Sequence, residues 1–96
     1  MNNSESIINN FLVEVDSLSF RITNIHQAYC NTTNLSLRER LFNENKNISQ
    51  RLNEIFLISK ILKKRTNEDI SFSSLLLEKC ERTIAQNKIE KNLFFL

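Results

Sequence analysis

The most constraining feature of this 96-residue sequence is that it contains neither glycine nor proline. Average usage would place roughly a dozen of these residues in a chain of this length. Without glycine, tight hairpin turns and phosphate-cradling loops lack the residue on which they depend, and without proline no helix is kinked by a ring. The composition therefore favours long continuous helices over sheets and over most nucleotide-binding folds.

The first helix is predicted over residues 4–30 by the strongest periodic pattern in the chain. Apolar side chains recur there at steps of three and four, the spacing of a stripe that faces a helical partner. The pattern stops after residue 30, where we expect Asn31 or Asn34 to take the left-handed conformation that glycine usually supplies at a helix end. The stripe consists of Ile8, Phe11, Leu12, Val15, Leu18, Ile22, Ile25 and Tyr29.

The second helix is predicted over residues 36–65. Ser36 followed by Glu39 has the pattern of a capping box, which marks a helix start. Two polar residues, Asn45 and Ser59, fall on the predicted core stripe, where buried polar groups would fix the register at some cost in stability. The apolar members of this stripe are Leu41, Ile48, Leu52, Ile55 and Leu62.

The third helix is predicted over residues 71–94, with Ser71 or a neighbour as its cap. Its apolar pattern is less regular than the other two, because it shifts by about one residue after Ile84. We expect the core stripe to follow that shift to the end of the chain. Its predicted members are Leu76, Leu77, Cys80, Ile84, Ala85, Ile89, Leu93 and Leu96.

Two short connections predict an all-α fold of three long antiparallel helices in an up-down-up bundle or coiled-coil-like arrangement. We expect one domain over residues 1–96, with residues 1–3 outside its ordered part. In this topology the first and third helices are parallel, which places Cys30 and Cys80 about 25 Å apart along the axis. A disulfide needs its Cα atoms within about 7 Å, so the sequence predicts two free thiols.

Charge and hydropathy predict a cytoplasmic protein. The net charge of +2 is too small to indicate a nucleic-acid or anionic-membrane partner. The apolar runs are far shorter than the 18 or more residues that a membrane span requires, and no signal peptide is recognised at the start of the chain.

The sequence offers no constellation typical of a catalytic or metal site. His26 and Cys30 share a helix face, as a base and a thiolate nucleophile must, but no third group or oxyanion loop accompanies them. Two cysteines and a single histidine do not complete a zinc site. We therefore expect no catalytic residue, no cofactor and no bound metal, and the protein is predicted not to be an enzyme.

The useful anomaly is apolar side chains on the faces that point away from the predicted core. Val13 and Phe20 lie seven residues apart on the outer side of the first helix, and Leu57 and Ile61 lie on the outer side of the second. Since each helix of a three-helix bundle has only two neighbours, these residues are predicted to contact a second copy or another helical protein. An irregular bundle with a wide contact face is the structural alternative.

The final segment of the chain divides into two predicted roles. Leu93 and Leu96 continue the stripe of the third helix, whereas Phe94 and Phe95 point about 100° and 200° away from Leu93. We expect one phenylalanine to reach a neighbouring helix and the other to be exposed. Phe94 and Phe95 are therefore predicted anchors for a partner.

A basic cluster at the end of the second helix supports the alternative function. Lys60, Lys63, Lys64 and Arg65 form a candidate anion site, although cations at a helix C-terminus also suit the helix dipole. The leading hypothesis is a small non-enzymatic helical interaction module, such as an adaptor, assembly factor or chaperone-like protein. The alternative is a nucleic-acid-associated regulatory protein that uses this cluster.

Overall fold

The computed structural model describes the backbone of residues 3–65 and 70–94, and the side chains of residues 6–64 and 72–90. These ranges contain three helices, α1 (Asn3–Asn31), α2 (Leu35–Arg65) and α3 (Ile70–Phe94), and no strand. Each helix packs against both of the others, so the molecule is a three-helix bundle. The predicted all-α fold is confirmed, and the predicted helix bounds agree with these to within one residue.

Interhelical ion pairs show that α1 and α2 are antiparallel. Glu14 accepts hydrogen bonds from Arg51, and Arg21 pairs with Glu44. As the residue number rises along α1, the number of its partner on α2 falls. The short loop between the two helices therefore joins adjacent ends of neighbouring helices.

Contacts between α1 and α3 run in the opposite sense. Lys79 Nζ donates to Asp16 at 2.8 Å, and Gln86 Nε2 donates to Thr23 Oγ1 at 3.1 Å. Residue numbers rise together on the two helices, so α1 and α3 are parallel. This is the up-down-up order that the sequence predicts.

The predicted stripes of α1 and α2 form most of the apolar core, which Leu76 and Cys80 of α3 complete. Every predicted stripe position on α1 and α2 is buried or half-buried, including the polar residues Asn45 and Ser59. Steps of three and four keep these side chains on one side of each helix. The buried apolar members are Ile8, Val15, Leu18, Ile22 and Ile25 on α1, and Leu41, Ile48, Leu52 and Ile55 on α2.

The predicted stripe of α3 is wrong at two positions, Ala85 and Ile89. Ala85 and Ile89 are exposed, and Ile89 is 63% accessible. Thr83 and Asn87 are buried instead, because α3 continues the helical register of its first half without the shift that its apolar residues suggested. The buried positions of α3 are Ser73, Leu76, Cys80, Thr83 and Asn87.

A polar layer between α2 and α3 explains why Asn87 tolerates burial. Asn45 Nδ2 donates to Asn87 Oδ1 at 2.8 Å, and Asn87 Nδ2 donates to Ser49 Oγ at 2.7 Å. Ser49 Oγ in turn donates to the backbone carbonyl of Asn45 at 3.0 Å. Hydrogen bonding offsets the desolvation of these groups, so a polar side chain occupies a position that an apolar one would otherwise take.

Asn34 begins α2. Its side-chain Oδ1 accepts from the backbone N–H of Leu37 at 3.2 Å, and its carbonyl accepts from the backbone N–H of Arg38 at 3.0 Å. Thr32 supports the turn, because its carbonyl accepts from Arg38 Nε at 2.8 Å and its hydroxyl accepts from the N–H of Asn34. Asn34 thus satisfies first-turn donors that have no partner within the helix.

This cap corrects two predictions about the connection. The N-cap is Asn34 and not Ser36, which already lies inside the helix, so the Ser36–Glu39 capping box does not start α2. No residue of the described backbone has a positive φ, so neither Asn31 nor Asn34 takes the left-handed conformation. The chain turns without that conformation because it has a three-residue connection in which to do so.

Both cysteines are free thiols, as the topology predicted. Cys30 is exposed near the end of α1, and Cys80 is buried in the core. Burial, with a smaller contribution from Glu81, raises the pKa of the Cys80 thiol to about 11. Cys80 is therefore a protonated core residue at neutral pH.

Candidate functional site

The outer side of α1 carries the most exposed pair of predicted interface residues. Val13 and Phe20 are each 69% accessible, and they lie opposite the buried stripe of the same helix. Large apolar side chains at this exposure remain in contact with water in the isolated bundle. Any helix that packed on this side would cover both.

One row of positions that runs through this pair on the helix surface shares its lack of charge, and the exposed Asp16 lies beside that row. We define the α1 outer stripe as the positions that repeat from residue 6 to residue 31 at alternate steps of four and three, which is the spacing of a helix-packing seam. All of them are exposed, and all are apolar or neutral polar residues. The α1 outer stripe consists of Ser6, Asn10, Val13, Ser17, Phe20, Asn24, Gln27 and Asn31.

The charged side chains of this part of α1 contact the neighbouring helices instead. Glu14 and Arg21 pair with residues of α2, and Asp16 pairs with Lys79 of α3. The Arg51 guanidinium that bonds Glu14 lowers the pKa of this carboxyl below its ordinary value. The charged side chains described on α1 therefore join the bundle together. Asp16 and Arg21 are exposed beside the α1 outer stripe, and the stripe itself is neutral.

A neutral exposed helix face is a departure from ordinary surface composition. Solvated faces usually carry interspersed lysine, arginine and carboxylate side chains, whereas the centres of protein interfaces are depleted of charge and enriched in aromatic residues. The outer sides of α2 and α3 follow the ordinary pattern, with Lys46 and Glu54 exposed on α2 and Glu81 and Arg82 on α3. Apolar periodicity had singled out Val13 and Phe20 but had missed the neutral positions around them.

Leu57 and Ile61 form a second exposed apolar pair, on the outer side of α2. They are 59% and 53% accessible. Arg21 pairs with Glu44, so Phe20 lies at the height of that part of α2, and Leu57 lies about 20 Å further along the axis. The structure therefore places the four predicted interface residues on two separate surfaces and does not bring them into one patch.

Part of the basic cluster lines a groove at the end of α2. Lys60, Lys63 and Lys64 surround a volume of about 520 Å³ together with Ile61 and Leu77. None of these lysines forms an ion pair with a carboxylate among the described side chains. We call this the basic groove.

One lysine of the basic groove also has an aromatic partner. Lys60 Nζ lies 4.5 Å from the centroid of the Phe56 ring, within the range of a cation–π contact. The side chains of Arg65, Leu93 and Phe94 lie outside the described part of the chain, and so do the whole of Phe95 and Leu96. Their predicted roles stay predictions.

The His26 and Cys30 pair has the geometry expected of neighbours one helical turn apart. Cys30 Sγ lies 3.9 Å from His26 Nε2. Among the described residues, no group of three or more histidine, cysteine, aspartate or glutamate side chains is placed to hold a metal ion. Within the same residues, none of the helices has the length and apolar content needed to cross a membrane.

Comparisons with known proteins add no assignment, because no protein-family model, no curated protein and no solved structure matches this chain.

Proposed function

We propose that this protein is a non-enzymatic helical interaction module that acts by packing the α1 outer stripe against another helix. The single observation that carries the proposal is the neutral, exposed α1 outer stripe, with Val13 and Phe20 near its centre. Full burial of such side chains contributes about 1.5–3 kcal/mol each. Adaptors, assembly factors and chaperone-like proteins share this mode of action.

The bundle supports this role because it presents the face on a rigid element. The core stripe of α1 and its ion pairs with α2 and α3 hold the helix along most of its length. A preformed helix loses little conformational entropy on binding, so more of the burial free energy is retained as affinity. Cytoplasmic localisation is part of the same proposal.

The test compares two charge insertions at exposed apolar positions. Phe20→Glu places a carboxylate in the α1 outer stripe, and Ile89→Glu makes a matched change on the outer side of α3. We expect both variants to keep the helicity and melting temperature of the parent, because neither side chain is buried. Only Phe20→Glu should abolish association, whether with itself in sedimentation or with a partner that copurifies from the native host.

Two results would count against the proposal. One is equal association of the two variants, which would show that the α1 outer stripe is not the contact surface. The other is the lack of any associated species with the parent protein, in purified form or in host extract.

The basic groove favours a second candidate, a nucleic-acid-associated regulatory role. Its three lysines have no described carboxylate partner, and they are available to phosphate oxygens. Fluorescence anisotropy with a short single-stranded oligonucleotide tests this candidate. Binding should weaken steeply with salt and should be lost in a variant with Lys60, Lys63 and Lys64 changed to glutamine. Binding that does not depend on salt, or that is unchanged in this variant, would show that the basic groove is not the nucleic-acid site.

A further inference from the structure

We propose that the partner of the α1 outer stripe is a second copy of this chain, packed antiparallel on α1 about a two-fold axis that passes beside Ser17. This inference rests on the proposed function, because it uses the same surface. It goes further, since it names the occupant and the register. Three properties of the stripe support it: its hydrogen-bonding chemistry, its neutrality and its pattern of side-chain sizes.

The polar residues of the stripe are self-complementary in hydrogen bonding. Asparagine and glutamine amides and the serine hydroxyl each donate and accept, so two identical faces of this composition can pair with one another. A face of carboxylates can only accept, and a face of ammonium groups can only donate, so neither can pair with its own copy. The stripe contains only the first kind of polar residue.

Neutrality removes the main obstacle to self-association at this face. In a two-fold dimer each surface meets itself, so any local charge meets a like charge close to the axis. Each charged side chain described on α1 pairs with an opposite charge of α2 or α3. Asp16, beside Ser17, is exposed, but its carboxylate bonds Lys79, so a copy could approach the stripe with little like-charge repulsion. A foreign partner is usually selected by charge patterning, which this face lacks.

The stripe is also self-complementary about Ser17 in side-chain size. In an antiparallel pair centred there, Phe20 of one copy meets the smaller Val13 of the other, twice over. Asn10 meets Asn24, which matches amide with amide, and Ser17 meets itself, where a small side chain permits close approach of the two helices. One register thus pairs large with small and polar with polar along the stripe.

The size of the contact predicts a weak dimer. From Ser6 to Asn31 the stripe is about 38 Å long, and a helix is about 10 Å wide, so the pair would bury roughly 800 Å² in total. Stable interfaces usually bury at least about 1,200 Å². We therefore expect association between about 10 µM and about 1 mM, the range of weak reversible complexes.

The experiment uses a charge pair that only this register can restore. Val13→Glu and Phe20→Lys are each expected to weaken self-association about 100-fold, because each change affects both symmetric contacts of the homodimer. In an equimolar mixture, the introduced carboxylate of one variant would face the introduced ammonium group of the other at one contact. The second contact would keep its native Phe20 and Val13. Sedimentation equilibrium should therefore show dimer in the mixture and monomer for each variant alone.

A cysteine scan gives an independent reading of the axis. In a Cys30→Ser background, Ser17→Cys should form a disulfide-linked dimer under mild oxidation. Asn10→Cys is the matched control, since two copies of residue 10 would lie about 20 Å apart in this register. Circular dichroism of each variant checks that the bundle is folded.

Three results would overturn the inference. The first is a parent protein that stays monomeric to about 1 mM. The second is a mixture of Val13→Glu and Phe20→Lys that stays monomeric although both variants are folded. The third is equal crosslinking at residues 10 and 17. If the parent is monomeric but a host partner is lost with Phe20→Glu, this inference fails and the proposed function stands. If Phe20→Glu changes neither self-association nor the binding of a host partner, both this inference and the proposed function fail.

Discussion

The polar layer between α2 and α3 predicts unequal costs for two chemically identical truncations. Asn87 makes two hydrogen bonds, one accepted from Asn45 at 2.8 Å and one donated to Ser49 at 2.7 Å. Asn45 Oδ1, by contrast, is buried and has no hydrogen-bond partner among the residues that the structure describes. Asn87→Ala should therefore destabilise the bundle more than Asn45→Ala.

The magnitudes follow from the groups that each change leaves unsatisfied. Asn87→Ala leaves the Asn45 amide donor buried without an acceptor, which costs about 1–3 kcal/mol, and removes the bond to Ser49, worth about 1 kcal/mol. Asn45→Ala leaves the Asn87 carbonyl without its donor at a similar cost, but it also removes a carbonyl that was already unsatisfied. We expect a loss of about 2–4 kcal/mol for Asn87→Ala and about 0–1 kcal/mol for Asn45→Ala.

The comparison is well controlled, because both changes delete the same atoms from a helix interior. The cavity terms are of similar size, and both variants gain the helix propensity of alanine. A chain of this length has a free energy of unfolding of roughly 5–14 kcal/mol, so the difference between the variants is easily measured. Urea unfolding followed by far-ultraviolet circular dichroism gives the free energies by linear extrapolation.

The double variant completes a thermodynamic cycle. With both asparagines replaced, neither leaves the other unsatisfied, so the combined loss should be smaller than the sum by about 1–2 kcal/mol. The reasoning would be refuted if Asn45→Ala cost as much as Asn87→Ala. Additive losses would likewise show that the two side chains are not coupled through the hydrogen bond.

Four further outcomes are expected. Asn34→Ala removes the N-cap of α2 and should lower the free energy of unfolding by about 1 kcal/mol in urea titrations; an unchanged midpoint would contradict the capping role. A thiol reagent should modify Cys30 in the folded protein and Cys80 only on unfolding. The folded state favours the protonated Cys80 thiol, because its pKa is raised from 9.0 to about 11. The free energy of unfolding should therefore fall as the pH rises through that interval. A melting temperature that stays constant over the same interval would contradict this expectation. Finally, the hydrogen bonds from Arg51 favour the ionised form of Glu14, so Glu14→Gln should lower the free energy of unfolding by up to about 1 kcal/mol at neutral pH. This difference from the parent should disappear as the pH falls below the lowered pKa of Glu14. An equal loss of stability in acid would contradict the role of the pair.

The candidate surface was partly predictable from the sequence. The seven-residue spacing of Val13 and Phe20 located the outer side of α1, and their exposure follows from the position of the core stripe. The neutrality of the stripe was also present in the sequence, at positions fixed by the same spacing. The pairing of Glu14 and Asp16 with other helices could not be predicted from the sequence, because each pair joins residues far apart in the chain.

The sequence by itself determined the number of helices, their bounds and the core faces of α1 and α2. With no glycine or proline to interrupt them, local propensity and apolar periodicity were enough, and both act over only a few residues. The tertiary structure alone decided the core face of α3 beyond Ile84. Asn87 is buried and Ile89 exposed because the partners of Asn87 come from α2, 42 and 38 residues away, and the hydrogen bonds they make offset a desolvation cost that local periodicity cannot take into account.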